Sequence, residues 1–168
     1  EDLLDPFREE FSLMSALYAR QLKLTLSVPA GVQFELLNDY SELGENSWRL
    51  PDLAYEGEAW ALVRLVVPAD LAYTPNGGDL EVLHAFLSYE DAESNLADTR
   101  SYTLRLPPVA TESWAAIAQD GRVTGRIQEV RVAQLQREVR EAALRRDWEA
   151  VDRLIELGAR GLDGQDGL

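Results

Sequence analysis

Arg20 to Tyr40 reads RQLKLTLSVPAGVQFELLNDY, and its alternation sets the architecture of what surrounds it. Leu22, Leu24, Leu26 and Val28 alternate with Lys23, Thr25 and Ser27. This period of two sends one face of a strand into a core and the other toward water. Pro29-Ala30-Gly31 interrupts the run as a tight turn, and Val32, Phe34 and Leu36 resume the alternation, so the stretch predicts a β-hairpin.

Toward the C-terminus, Asn38 to Asn46 is polar and reads as a loop. Trp48 and Leu50 predict a short strand stopped by Pro51-Asp52. Ala59 to Val67 is apolar in both phases and predicts a strand near the centre of the sheets, covered on both faces, with Pro68 as its stop. Thr74 to Asp79 reads as a flexible loop or hairpin tip. Two further strands, Leu80 to Tyr89 and Thr99 to Leu106, flank an acidic turn over Glu90 to Asp98. Six or seven strands with no helical pattern between them favour an antiparallel β-sandwich over residues 21–110.

Helical periodicity is confined to the two ends. Leu3, Phe7, Phe11, Met14 and Tyr18 recur at three and four residues, with Asp5-Pro6 as a cap and first helical position, predicting an amphipathic helix within residues 1–20. Beyond Asp120-Gly121, Ile127, Val130, Leu135, Val139 and Ala142 mark a long helix, and Trp148, Val151, Leu154 and Ile155 mark a second, ended by Gly158 or Gly161. Arg146-Asp147 is the corner between them, so residues 111–168 read as a helical hairpin packed on the sandwich. The charge balance changes with the pattern: residues 1–110 carry 7 basic and 19 acidic side chains, residues 111–168 carry 9 and 11. The expected class is therefore mainly β with α: an antiparallel β-sandwich, an N-terminal helix and a C-terminal helical hairpin.

Composition excludes several functions. The 168 residues are 46% hydrophobic, enough for a real core, and 16 Lys and Arg against 30 Asp and Glu give a net charge of −14. That balance disfavours nucleic acid and anionic membranes, which select a basic face. The absence of Cys removes disulfides and thiolate chemistry and leans toward the cytoplasm, while a single histidine, His84, leaves little acid–base chemistry near neutral pH. No apolar run approaches the ~20 residues of a membrane-spanning helix. The chain opens at Glu1 without Met, which reads as a boundary inside a longer protein.

Asp91-Ala92-Glu93-Ser94-Asn95 starts like a calcium loop, but its sixth position is Leu96 where a glycine is needed and its twelfth is Tyr102 where a glutamate is needed. Acidic loops here therefore read as solvated turns. His84 is in phase with Val82 and Phe86 on a strand and reads as structural. The arginines of the last third alternate with glutamates at helical spacing, as on a solvated, salt-bridged surface. Trp48, Tyr55 and Trp60 with Glu56 and Glu58 would suit a carbohydrate-binding or glycoside-acting sandwich, although large aromatics in strands usually fill cores.

The order of these pieces resembles the region that follows the von Willebrand factor A domain in bacterial von Willebrand A proteins. The resemblance is carried by Leu50-Pro51-Asp52-Leu53 with Gly57-Glu58, and by Ala142-Ala143 through Asp147, Ala150 and Leu154. In that family a β-sandwich precedes a helical hairpin, and ligands bind at an Asp-x-Ser-x-Ser metal site in the A domain itself. Asp39-Tyr40-Ser41-Glu42-Leu43 departs from that motif at its fifth residue, so no metal residues are carried over. The resemblance implies a non-catalytic accessory module, without cofactor or metal, that supports an upstream A domain or contacts a protein partner. Its candidate contact residues are Phe7, Phe11, Met14 and Tyr18 on the first helix and Trp148, Val151 and Ile155 on the last. A third reading, from the sandwich and the acidic balance, is a structural subunit of a surface or phage assembly.

Overall fold

In the computed structural model, which describes residues 17–69, 71, 78–110, 113 and 116–163, the alternating leucines lie on β1, Leu17–Ser27. Leu22, Leu24 and Leu26 are buried, while Lys23 and Ser27 are exposed. Both edges of β1 are occupied. β4 (Ser47–Arg49) and β5 (Leu53–Ala54) pair antiparallel along one edge, and β7 (Leu80–Asp91) along the other. β3 (Ser41–Gly44) extends the sheet beyond β4, and β8 (Ala97–Leu106) beyond β7, giving the order β3-β4-β1-β7-β8 with β5 beside β1.

A second, two-stranded antiparallel sheet joins β2 (Gln33–Leu36) to β6 (Val63–Val66), pairing Phe34 with Leu65 and Leu36 with Val63. These four side chains pack against the buried leucines of β1 together with Val82 and Leu83 of β7. Across the layers, Phe34 meets Trp48 edge-on, with ring centroids 6.2 Å apart. The chain is thus mixed α and β, with antiparallel sheets, two C-terminal helices and more strand than helix.

Several expectations change on physical grounds. β1 and β2 do not form a hairpin: each edge of β1 already has a partner, and β2 instead lays Phe34 and Leu36 over the core as part of the second layer. At the turn between them, Gly31 has φ +90°, and a Cβ there would lie 2.7 Å from Leu71 Cδ1, so only glycine fits. Ala59 to Val67 is not one central strand. Only Val63–Val66 pairs as a strand, with Arg64 and Val66 exposed, and side chains bind the backbone just before it. Asn38 Oδ1 accepts from the Leu62 N–H at 2.6 Å, and the Tyr40 hydroxyl donates to the Trp60 carbonyl at 2.7 Å. The polar segment expected to be a loop holds β3, whose partner is β4.

At the N-terminus, Phe7, Phe11 and Met14 lie outside the described residues. Tyr18, the last position of the proposed helical stripe, is instead on β1, where its carbonyl accepts from the Ala92 N–H at 3.0 Å. The helix expected up to residue 20 therefore does not include residues 17–20, which a strand ladder to β5 and β7 claims.

The chain divides into two compact units, residues up to Ala116 and from Ile117 onward. The second holds α1 (Gly121–Leu144) and α2 (Trp148–Asp163). Asp120 caps α1, its side chain accepting from the N–H groups of Arg122 and Val123. At the corner, the Asp147 N–H returns to the Ala142 carbonyl at 3.0 Å and the Arg146 N–H to Ala143 at 2.9 Å, with Arg146 left-handed at φ 59°. This pair of bonds is a Schellman stop, here made without glycine. Asp147 then caps α2 by accepting from the Ala150 N–H. The second helix continues past Gly158 to Asp163, beyond both glycines expected to end it.

Candidate interaction surfaces

The polar clusters of the β unit close its own turns and ladders. Asp91 Oδ1 accepts from the Ser94 N–H and hydroxyl, both at 2.7 Å, and from the Glu93 N–H, shaping the turn between β7 and β8. Arg20 reaches across to the Asn95 side chain in the same turn. The Tyr89 hydroxyl donates to Asp98 at 2.7 Å, and Arg100 stands 3.2 Å from the same carboxylate. Glu81 receives two bonds from Arg105. His84 Nδ1 lies 3.1 Å from the Thr103 hydroxyl and Nε2 3.6 Å from Glu81, so its ring belongs to this cross-strand network.

These bonds depress three carboxyl pKa values. The Ser94 N–H and hydroxyl hold Asp91 below its ordinary value, the Tyr89 hydroxyl does so for Asp98, and the Arg105 hydrogen bond for Glu81. A depressed folded-state value means that the unfolded chain binds more protons in that range. The stability contributed is complete above the ordinary carboxylate range and is lost as pH falls through the folded values. Accordingly, below about pH 4 the stability of Asp91→Asn, measured by urea unfolding, is expected to fall less steeply with pH than that of the parent chain.

Among the described residues, no three acidic or histidine side chains converge as metal ligands would. Tyr55, Glu56 and Glu58 are exposed, while Trp48 and Trp60 are half-buried. Trp48 offers its ring to Phe34 and the core, which is not the free flat face that stacks on a sugar. An apolar cleft of about 550 Å³ opens between the ends of β6, β7 and β8, lined by Val66, Leu80, Val82 and Leu106 with Pro107 and Val109.

In the helical unit, Trp148 and Ile155 are 63% and 56% exposed, and Val151 is half-buried. Ile155 lines a groove of about 830 Å³ with Val132, Leu135, Val139 and Ala143 of α1 and Gly158 of α2. The structure therefore brings Ile155 together with an α1 stripe that sequence reading had not assigned to a surface. Leu135 and Val139 belong to the stripe of Ile127, Val130 and Ala142 read from the sequence, and Val132 and Ala143, at three and four residues from them, widen it. The rim also includes Arg131 and Arg140, which the sequence had assigned to a solvated, salt-bridged face. Tyr18 is 46% exposed, on the β unit.

No protein-family model matches the sequence, and none of the curated proteins does. Among solved structures, the crystal structure of the ArnB paralog VWA2 from Sulfolobus acidocaldarius is similar at a TM-score of 0.50 and 20% identity, over 83% of this chain and 32% of that one. Likeness at that identity is likeness of fold. The chain spans about a third of the length of that protein. No helix among the described residues is long and apolar enough to cross a membrane.

Proposed function

We propose that the chain is a non-catalytic accessory module of a larger von Willebrand A-type protein, supporting an A domain or mediating protein–protein contacts. The observation that carries this reading is the shared fold with part of VWA2: most of this chain corresponds to a third of a protein whose name places it among von Willebrand A proteins. The remaining two thirds leave room for an A domain, and the sequence resemblance assigns this chain to the region following one. The engagement of Asp91, Asp98, Glu81 and His84 in turn closure and strand pairing supports a scaffolding role for the polar groups. Contacts to other proteins then fall to the exposed apolar side chains of the helical unit.

Sequencing the source locus around the codon of Glu1 tests the reading. A coding segment for an A domain with an Asp-x-Ser-x-Ser motif, in the same reading frame or beside it, is the expected result. A locus with no such segment overturns it.

A further inference from the structure

A two-helix hairpin buries one stripe of each helix, and the apolar side of α1 is broader than one stripe. Val132, Leu135, Val139 and Ala143 line the open groove with Ile155, Leu135 also reaching Gly158 across the hairpin, while Leu144 and Trp148 stand exposed at the corner. Helices in this situation complete their core with further helices, most simply as an antiparallel bundle of four. We infer that the missing pair is a second copy of this chain, joined hairpin to hairpin about a twofold axis parallel to the helices, with α1 of each copy along α2 of the other.

Charge and register favour a second copy as the occupant. The α1 rim of the groove is basic, with Arg131 and Arg140, whereas the exposed line of α2 that runs from Trp148 to Ile155 contains Asp152. Among the described residues, neither the Arg140 nor the Asp152 side chain has an ion-pair partner. The level at which they would meet follows from the hairpin itself. Leu135 Cδ2 lies 2.5 Å from where a Cβ on Gly158 would stand, so residues 135 and 158 are level. Because the helices run antiparallel, residue 140 is level with residue 153, one position from Asp152. A twofold parallel to the helices preserves these levels, so Arg140 of one copy faces Asp152 of the partner subunit, and the reverse. The surface is thus self-complementary, as a twofold interface must be. This inference does not rest on the accessory reading, which stands or falls on the coding sequence.

Sedimentation equilibrium of the full chain tests it. A dimer is expected, with Ile155→Asp monomeric at unchanged circular dichroism, since Ile155 is mostly exposed in one copy. Arg140→Asp and Asp152→Arg are each expected to raise the dimer dissociation constant about tenfold, and the double variant to restore it, because the pairs re-form with reversed sign. Both charge variants alter only surface side chains, so folding is preserved and the outcome is readable. A chain that stays monomeric up to about 0.1 mM, roughly a −5.5 kcal/mol association threshold, overturns the inference. So does a dimer indifferent to Ile155→Asp, or a double variant as weak as the single ones.

Discussion

Leu22→Ala is expected to lower the stability of the β unit by about 3 kcal/mol, the middle of the range for removing a buried leucine side chain. Leu22 is 2% exposed and belongs to the cluster that joins β1 to β7 and receives the second sheet from above. The loss has two parts: apolar surface no longer withheld from water, and a void that the surrounding side chains fill only partly. Collapse is hindered at this site because the backbone on either side is pinned. The Leu22 carbonyl accepts from the Leu50 N–H at 2.9 Å, and the paired rows Lys23–Ser88 and Leu24–Leu87 follow at once. Urea unfolding followed by tryptophan fluorescence should show a lower midpoint with unchanged slope, since the surface exposed on unfolding barely changes. Lys23→Ala, one residue along on the exposed face, should stay within about 0.5 kcal/mol of the parent. Equal losses for the two variants would mean that the core does not lie on the Leu22 face of β1.

The same alternation shows how much was legible in advance. Leu22, Leu24 and Leu26 announce their buried face because a strand in contact with water on one side must alternate, and the corner at Arg146-Asp147 shows as a break between two helical patterns. Strand partners were less legible. Nothing within Val32 to Leu36 distinguishes a strand lying beside β1 from one lying over it; that choice is made by β4 and β7, which occupy the two edges of β1. Ala59 to Val67 misleads for a related reason. Its apolar content is real, but Asn38 and Tyr40 bind the backbone at Trp60 and Leu62, and a side chain twenty residues away leaves no mark on local periodicity.

The interaction surface was legible in half. Trp148, Val151 and Ile155 stand out as the apolar stripe of α2, yet a stripe alone does not say whether it faces its own hairpin or something else. The helical packing divides them: Val151 is half-buried, whereas Trp148 and Ile155 are exposed. On α1, Leu135 and Val139 are legible as apolar positions, but periodicity does not separate the part of a broad stripe that meets α2 from the part, with Val132 and Ala143, that lines the open groove.

Ala142→Asp is expected to unfold the helical hairpin. Ala142 is 1% exposed, sits two residues before the end of α1, and offers its carbonyl to the Asp147 N–H that closes the corner. A carboxylate there must either remain charged in a site with no water, or take up a proton, or push the corner apart. Burial of an unpaired charge costs several kcal/mol, and among the described residues of this unit only Val130 and Ala142 are buried hydrophobics, so little stability is available to offset it. The third outcome therefore prevails: the Schellman bonds at Arg146 and Asp147 open, α2 loses its cap and its partner, and most of the helical circular dichroism at 222 nm disappears. Ala142→Ser separates charge from size, because a hydroxyl can bond to the carbonyl one turn back, and it should cost no more than about 1 kcal/mol. Since Ala142 belongs to the helical unit, the fluorescence transition of the Leu22 core should survive in Ala142→Asp. Full helical signal in Ala142→Asp would show that α1 and α2 meet along some line other than the one that buries Ala142.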